Sequence, residues 1–468
     1  MVGALVAGGL SAVSMSQREA GAVDPPNVVV IMTDDQWYDS MAYMPKTNAL
    51  LAANGVSFSN FHVSNPICCP SRSTFLKGQY SHTHGVEGNS AASLGGFDFF
   101  DDTSTLATWL DGAGYHTTMI GKYLNGYGGA TTATYVPPGW DNWKVGNNGS
   151  TQLLYDYTMN ENGTTVAYGS APEDFKTDVF ADMATDNIAA QAPGGPFFMT
   201  VTATAPHGEY NEDGQSVRAA PRHEGMFANE PFPVKPNFNE ANVSDKPASI
   251  ANLSLLDVDQ QATYAQSWRD KLEGLQSVDD LVERVVNELD AQGELENTVI
   301  FFTSDNGFFF GEHRLPSGKN KVYTEATRVP LIVSGGAFTG GITRSQIVSN
   351  IDLAPTIAAI AGVTPGLPAD GISLVPYATN ATYKANRAVL LEISPANAAT
   401  FNAIRTKRWT YSLLGTGEEE MYNNLTDPYQ LKSRHAVATQ QTKKAALAAA
   451  LDQLDSCAAA TCQVNFAG

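Results

Sequence analysis

The chain is poor in cysteine, in basic charge and in long apolar runs, and each shortage excludes something. Four cysteines stand in 468 residues, too few for a scaffold built on disulfides. No Cys-x-x-Cys spacing offers a zinc site. Blocks of like charge, low-complexity tracts and internal repeats are absent, which removes charged tails and solenoids from consideration. Lys and Arg number 28 against 48 Asp and Glu, a formal charge of −20. So acidic a chain has no overall field to hold nucleic acid or an anionic membrane. The apolar run at residues 2–13 falls short of the about 20 residues that span a bilayer, so no stable membrane insertion is expected. With the small residues Ala20-Gly21-Ala22 behind it, it reads as part of a signal-like segment over residues 1–26. That implies a secreted or extracytoplasmic protein.

What is present is a globular composition, 43% hydrophobic and 16% charged, long enough for one large domain and a smaller one. Residues 27–32, 115–120, 196–201 and 298–304 are continuous apolar runs, the mark of strands buried on both faces. Shorter strands are expected at 56–63 and 329–334. Helical patterns separate them, at 45–55, 105–113, 174–190 and 351–361. The strongest spans about 259–292, with Leu272, Leu275, Val278, Leu281, Val282, Val285, Val286 and Leu289 on one face. Alternating strands and helices predict an α/β fold, a large and mainly parallel sheet sandwiched by helices, over 27–376. From 377 to 468 the pattern changes to short strands at 388–393, 403–405 and 409–414 and an alanine-rich helix at 440–454. This predicts a smaller α+β subdomain with a short antiparallel sheet. Residues 126–170 and 209–252 read as loops and hairpins, with Trp140, Trp143 and Tyr210 as packed aromatics. Cys457 and Cys462 either close a short disulfide loop or remain buried thiols.

In a parallel sheet, ligands collect beyond the carboxyl ends of the strands. The four apolar strands end in Asp34-Asp35, Gly121-Lys122, Ala205-Pro206-His207 and Asp305-Asn306. One sheet edge thus receives three carboxylates, an amide, a lysine and a histidine. Asp34, Asp35, Asp305 and Asn306 are hard oxygen donors that suit Ca²⁺ or Mg²⁺ rather than a soft metal. Cys68-Cys69-Pro70-Ser71-Arg72 is a second focus. Pro70 removes a backbone donor and biases Cys69 away from helix, and Ser71 is suited to cap a helix starting just after it. A nucleophile at 68 or 69 would then face the anion-friendly end of a helix, with Arg72 placed to hold two oxygens of a tetrahedral oxyanion. These residues point to attack on a phosphate-like or sulfate-like group.

Cys68-Cys69-Pro70-Ser71-Arg72 resembles the Cys-x-Pro-Ser-Arg signature of the type I sulfatases, in the alkaline-phosphatase-like superfamily. The likeness extends from about residue 27 to 431. It includes Asp34-Asp35, Gly121-Lys122, Ala205-Pro206-His207, Asp305-Asn306-Gly307, and Met421-Tyr422-Asn423 with Asp427-Pro428. The Cys-Cys opening and Gly121-Lys122-Tyr123-Leu124-Asn125 most resemble the glucosamine-6-sulfatase branch and its bacterial arylsulfatase-like relatives. The resemblance implies conversion of Cys68 to formylglycine by a formylglycine-generating enzyme. It implies Ca²⁺, in preference to Mg²⁺, on Asp34, Asp35, Asp305, Asn306 and modified Cys68. It also implies Arg72, Lys122, His207 and Lys319 around the sulfate, with Asp305 as the activating base. Lys319 lies four residues before Tyr323; Lys321 is the alternative. The chain departs from the pattern at Leu76-Lys77-Gly78-Gln79, where many members have Leu-Thr-Gly-Arg, and at Leu124, where many arylsulfatases have histidine. The implied activity is hydrolysis of a small sulfated sugar or aryl sulfate. The alternatives are phosphonate monoester or phosphodiester hydrolysis on the same scaffold, and a catalytically silent binder that keeps its thiol.

Overall fold

The computed structural model describes residues 25–211, 214–393 and 400–467. Nearly all of the signal-like segment, residues 1–24, lies outside the described residues, as does the side chain of Tyr210. The centre is a ten-stranded mixed sheet. In chain order its strands are β1 (Asn27–Thr33), β2 (Val56–Phe58), β3 (His116–Gly121), β4 (Asn142–Gly146), β5 (Thr158–Glu161), β6 (Thr164–Ala167), β7 (Phe197–Thr202), β8 (Thr298–Ser304), β9 (Leu331–Ser334) and β10 (Ile342–Arg344). In space they run β10-β2-β9-β8-β1-β7-β3-β4-β5-β6. The inner block β8, β1, β7, β3, β4 is parallel, and β9, β5 and β6 add antiparallel margins. The four strands expected to carry the site are therefore neighbours, all pointing the same way.

β1 shows why its sequence is uniformly apolar. Val28, Val30 and Met32 enter the core on one face of the sheet, Val29 and Ile31 the core on the other, so neither side offers a polar position. Helix α1 (Cys68–Lys77) lies on the first side. Helices α2 (Lys176–Gln191) and α3 (Val258–Ala291) cover the second. α3 is 34 residues long. Its start is fixed by reciprocal bonds between Asp257 and Gln260, at 2.8 and 3.0 Å, a capping box.

Two expectations are corrected. Residues 56–63 do not form one strand: the chain turns at Ser59-Asn60, β2 stays in the main sheet, and Phe61–His62 pairs separately with Val348–Ser349. Residues 126–170 carry the expected hairpin, β5–β6, but also β4, which pairs in parallel with β3 and goes beyond loops and hairpins. Trp140 and Trp143 are buried there as packed aromatics. The Trp143 indole N–H donates to the Tyr127 hydroxyl at 2.6 Å.

The C-terminal sheet has four antiparallel strands, β11 (Ala388–Ile393), β12 (Phe401–Thr406), β13 (Trp409–Leu414) and β14 (Glu419–Asn423), packed with helix α4 (Gln441–Asp455). β14 goes beyond the three strands expected. Its opening Glu419-Glu420 hid it, yet Glu420 is buried and accepts from the Tyr323 hydroxyl at 2.8 Å. Cys457 and Cys462 form a disulfide. Among the described residues, no helix is long and apolar enough to cross a membrane.

A charged contact joins this sheet and the disulfide loop to the short helix Ser81–His84 that follows α1. His82 Nδ1 lies 2.8 Å from Glu392 Oε2, and its Nε2 lies 2.9 Å from the Cys457 carbonyl. Burial would lower the imidazole, but Glu392 raises it to about 9. A group raised in the folded state stabilises fully below its unfolded value of about 6.5, and that stability is lost as pH rises through about 9. The stability gap between wild type and His82→Gln should therefore narrow by about 1–3 kcal/mol from pH 6.5 to above 9, read by urea unfolding. A gap independent of pH would show that His82 is neutral in the folded protein.

Candidate active site

Four strand ends and one helix build the site. β1 runs out at Thr33, and Asp34 and Asp35 follow, Asp35 in the left-handed region at φ 69°. β3 ends at Gly121, whose φ is 111° and whose Cβ, if present, would lie 2.2 Å from the Thr202 carbonyl oxygen. Only glycine permits so close an approach, and it brings Lys122 to the sheet edge beside β7. Beyond β7 comes the Ala205-Pro206-His207 turn, and beyond β8 come Asp305 and Asn306.

Helix α1 begins at Cys68, not after Ser71, and Cys69 is helical. Pro70 is the third residue of the helix, in the first turn, where a missing N–H costs nothing because no carbonyl precedes it to accept. Ile67, in extended conformation, stands at the cap position. All ten residues of α1 are buried.

The side chains converge. The Cys68 thiol donates to Asp34 Oδ1 at 3.5 Å and receives the Lys319 ammonium at 2.8 Å. Lys122 pairs with Asp34, and Lys319 with Asp35. Asn306 Nδ2 donates to Asp35 Oδ1 at 2.6 Å, and Lys319 Nζ donates to Asn306 Oδ1 at 3.3 Å. Arg72 Nε donates to Asp305 Oδ2 at 2.8 Å, and its Nη1 to the Lys122 carbonyl at 2.7 Å. Asp305 Oδ1 also accepts from the Asp35 backbone N–H at 3.2 Å. His207 lies with Nε2 3.9 Å from Asp35 Oδ2. Three carboxylates thus meet three fixed cations in a site that is all but closed to water.

Charge states follow from that balance. Burial would raise the Asp34 carboxyl, but Lys122, His207, Lys319 and Arg72 hold it well below its ordinary value. Asp305 is pushed up to about 6 by burial and by Asp34, against the pull of Arg72. Burial and the Asp34 charge push the Cys68 thiol up to about 11, so as a cysteine this residue is a thiol at neutral pH and a weak nucleophile. Burial lowers His207 to about 4. The imidazole is therefore neutral, with Nδ1 2.7 Å from the Gly208 carbonyl.

Every residue singled out for the site arrives there: Asp34, Asp35, Cys68, Arg72, Lys122, His207, Asp305, Asn306 and Lys319. Of the two candidate lysines, Lys319 reaches Cys68 while Lys321 lines a different cavity. Lys77 and Gln79, where the pattern departs, are buried; Lys77 faces Asp101 at 3.6 Å and Gln79 donates to the Pro368 carbonyl at 3.0 Å. The sequence reading missed Lys271. It is buried in α3, its ammonium donating to the Pro206 carbonyl at 2.8 Å and lying 3.9 Å from the Phe308 ring centre. Burial lowers it to about 8. The signal was there: a lysine in phase with Trp268 and Leu275 on the apolar face of a helix. His82-Thr83-His84 has metal-ligand spacing but ligates nothing in common: His84 Nε2 lies 3.1 Å from the Thr74 hydroxyl, on a side of its own.

Residues 26–363 match the family model for sulfatases. The chain belongs to the sulfatase family. Residues 311–456 of this sulfatase also match the C-terminal model of N-sulphoglucosamine sulphohydrolase. It is 35% identical to the N-acetylglucosamine-6-sulfatase of Homo sapiens over 388 residues, 78% of this chain and 67% of that one. With the Capra hircus enzyme of the same name it shares 35% over 390 residues, 78% and 66%. The sulfatase thus spans about two thirds of the length of these relatives. The arylsulfatase of Volvox carteri is 31% identical over 494 residues, 90% of this chain and 74% of that one. Among solved structures, a protein in complex with its substrate D-glucosamine-2-N,6-O-disulfate superposes with TM-score 0.79 at 25% identity, over 92% of this chain and 97% of that one. The phosphonate monoester hydrolase of Agrobacterium radiobacter shares the fold, with TM-score 0.72 at 20% identity over 92% and 95%.

Proposed function

We propose that this sulfatase hydrolyses the sulfate monoester of a small sulfated sugar, releasing alcohol and inorganic sulfate. The observation that carries the reading is Cys68 held between Asp34 and Lys319, with Lys122 and Arg72 on the other oxygen of the Asp34 carboxylate. The relatives' names and the disulfated glucosamine of the structural neighbour support a sulfated glucosamine as substrate.

The donor set fits a divalent cation. Asp34, Asp35, Asp305 and the Asn306 carbonyl are hard oxygens. The Lys319 ammonium already sits as a positive charge among Asp35 Oδ1, Asn306 Oδ1 and Cys68 Sγ. These residues would hold Ca²⁺, which supplies Lewis-acid polarisation of a sulfuryl oxygen. Position 68, converted to formylglycine by its generating enzyme, supplies a hydrated aldehyde as nucleophile. Arg72, Lys122 and Lys319 bind the non-bridging oxygens and offset the charge that develops on them. Asp305 accepts the proton that the nucleophile loses. His207 serves the leaving alcohol: with Nδ1 facing the Gly208 carbonyl, its Nε2 takes a proton from solvent and passes it to the departing oxygen. The Cys457–Cys462 disulfide suits an extracytoplasmic location.

A sulfate monoester and a phosphodiester both carry a single negative charge, so the test compares them directly. Sulfate release from N-acetylglucosamine 6-sulfate is expected to exceed hydrolysis of an aryl phosphodiester. It should stop on treatment with a chelator and return with Ca²⁺. Turnover of the phosphodiester with the sulfate ester untouched would overturn the reading in favour of phosphoryl chemistry.

A further inference from the structure

Lys271 is a buried cation beside the site to which the proposed chemistry gives no task. It is 2% exposed and stands in α3 in phase with Trp268 and Leu275, both in the apolar core. Taking an ammonium out of water is costly, and the Phe308 ring, 3.9 Å away, returns only part of that cost. A methionine of similar length would fill the same place without it. The ammonium therefore needs another reason to be there.

That reason lies in what it holds. Lys271 Nζ donates to the Pro206 carbonyl at 2.8 Å. A lysine lowered to about 8 is still mostly protonated at pH 7, so the charged donor is present. The Pro206 carbonyl belongs to the same planar peptide unit as the His207 N–H, and that N–H donates to the Thr204 carbonyl at 2.9 Å. Both ends of the unit are thus pinned, one to helix α3 and the other to the chain just beyond β7. The preceding carbonyl, of Ala205, accepts from the Asp34 backbone N–H at 3.3 Å, which ties the turn to the end of β1. A cation on the Pro206 carbonyl also polarises the peptide and strengthens the bond its N–H makes. Held in this way, the imidazole rests with Nδ1 2.7 Å from the Gly208 carbonyl and Nε2 3.9 Å from Asp35 Oδ2.

We propose that Lys271 is a positioning residue for His207: it sets the Pro206–His207 peptide so that the imidazole faces the oxygen that departs. This rests on the reading of His207 as the group that serves the leaving alcohol. The consequence is a dependence on the leaving group. A sugar alkoxide must be protonated as it departs, whereas para-nitrophenolate departs without a proton.

The test compares kcat on N-acetylglucosamine 6-sulfate and on para-nitrophenyl sulfate. Lys271→Met is expected to lose about a hundredfold on the sugar sulfate, the scale of a displaced general acid, and to keep nearly all of its rate on the nitrophenyl ester. Lys271→Arg, which keeps a charged donor, should recover most of the sugar-sulfate rate. Lys271→Gln, too short to reach the carbonyl, gives the same comparison if the methionine variant does not fold. Equal losses on the two esters overturn the proposal and assign Lys271 to the site as a whole, through its charge. An unchanged rate on the sugar sulfate overturns it as well. The independent readout is NMR of the ring nitrogens in isotopically labelled histidine, with the His207 signals assigned through His207→Asn. Wild type is expected to show one His207 tautomer, protonated on Nδ1, and Lys271→Met a mixture. The same single tautomer in Lys271→Met overturns the proposal whether or not any ester is hydrolysed. If wild type releases sulfate from neither ester, the proposed hydrolysis fails, while the tautomer still judges Lys271.

Discussion

Cys68→Ala is expected to lose on the order of 10⁶-fold in sulfate-ester turnover, the scale on which hydrolases lose rate with their covalent nucleophile. The expectation is specific to one of two adjacent cysteines. Cys68 Sγ lies 2.8 Å from the Lys319 ammonium and 3.5 Å from Asp34. Cys69 is in the hydrophobic core, its backbone N–H donating to Asn89 Oδ1 at 2.9 Å. Cys69→Ser should therefore keep most of the activity and lose some stability. Initial rates of sulfate release decide it, with the mass of the peptide carrying residue 68 measured on the same preparation. Full turnover by protein whose residue 68 is still a thiol would defeat the formylglycine reading, because a thiol pushed up to about 11 is scarcely ionised at pH 7.

The second large effect is on stability. Arg387, at the entrance to β11, makes a bidentate pair with Asp352, Nη1 to Oδ2 at 2.5 Å and Nη2 to Oδ1 at 2.8 Å, both side chains buried. The same carboxylate accepts the backbone N–H groups of Ser349 and Ile372, each at 2.9 Å. Arg387→Met removes the guanidinium and leaves a buried charge without its partner, an arrangement that costs about 3–5 kcal/mol. Urea unfolding should show that loss, and the double variant Arg387→Met with Asp352→Leu should recover part of it. A loss under about 1 kcal/mol would mean that water reaches Asp352 and the junction is looser than described.

What could be read in the sequence follows a physical divide. The parallel block was legible because strands buried on both faces must be apolar throughout, as β1 is, and their carboxyl ends then share one edge. The site residues were legible for the same reason: polar groups such as Asp34 and Asp305 stand out against such runs. The margins were less legible. β14 opens with two glutamates, and Glu420 is satisfied by Tyr422 in the same strand and by Tyr323, far back along the chain. The start of α1 was misplaced because Pro70 and Ser71 have local preferences that tertiary burial overrides. Lys271 was hidden by its setting, since its partner, the Pro206 carbonyl, is brought to it only by the fold.

Helix α1 has no residue at the surface. On the proposed reading, an enzyme that rewrites the side chain at position 68 would have to meet this segment while it is still an open chain. The opportunity to give the protein its chemistry would then close when the protein acquires its shape, and chain that folded before it was edited would be native by every structural measure and idle.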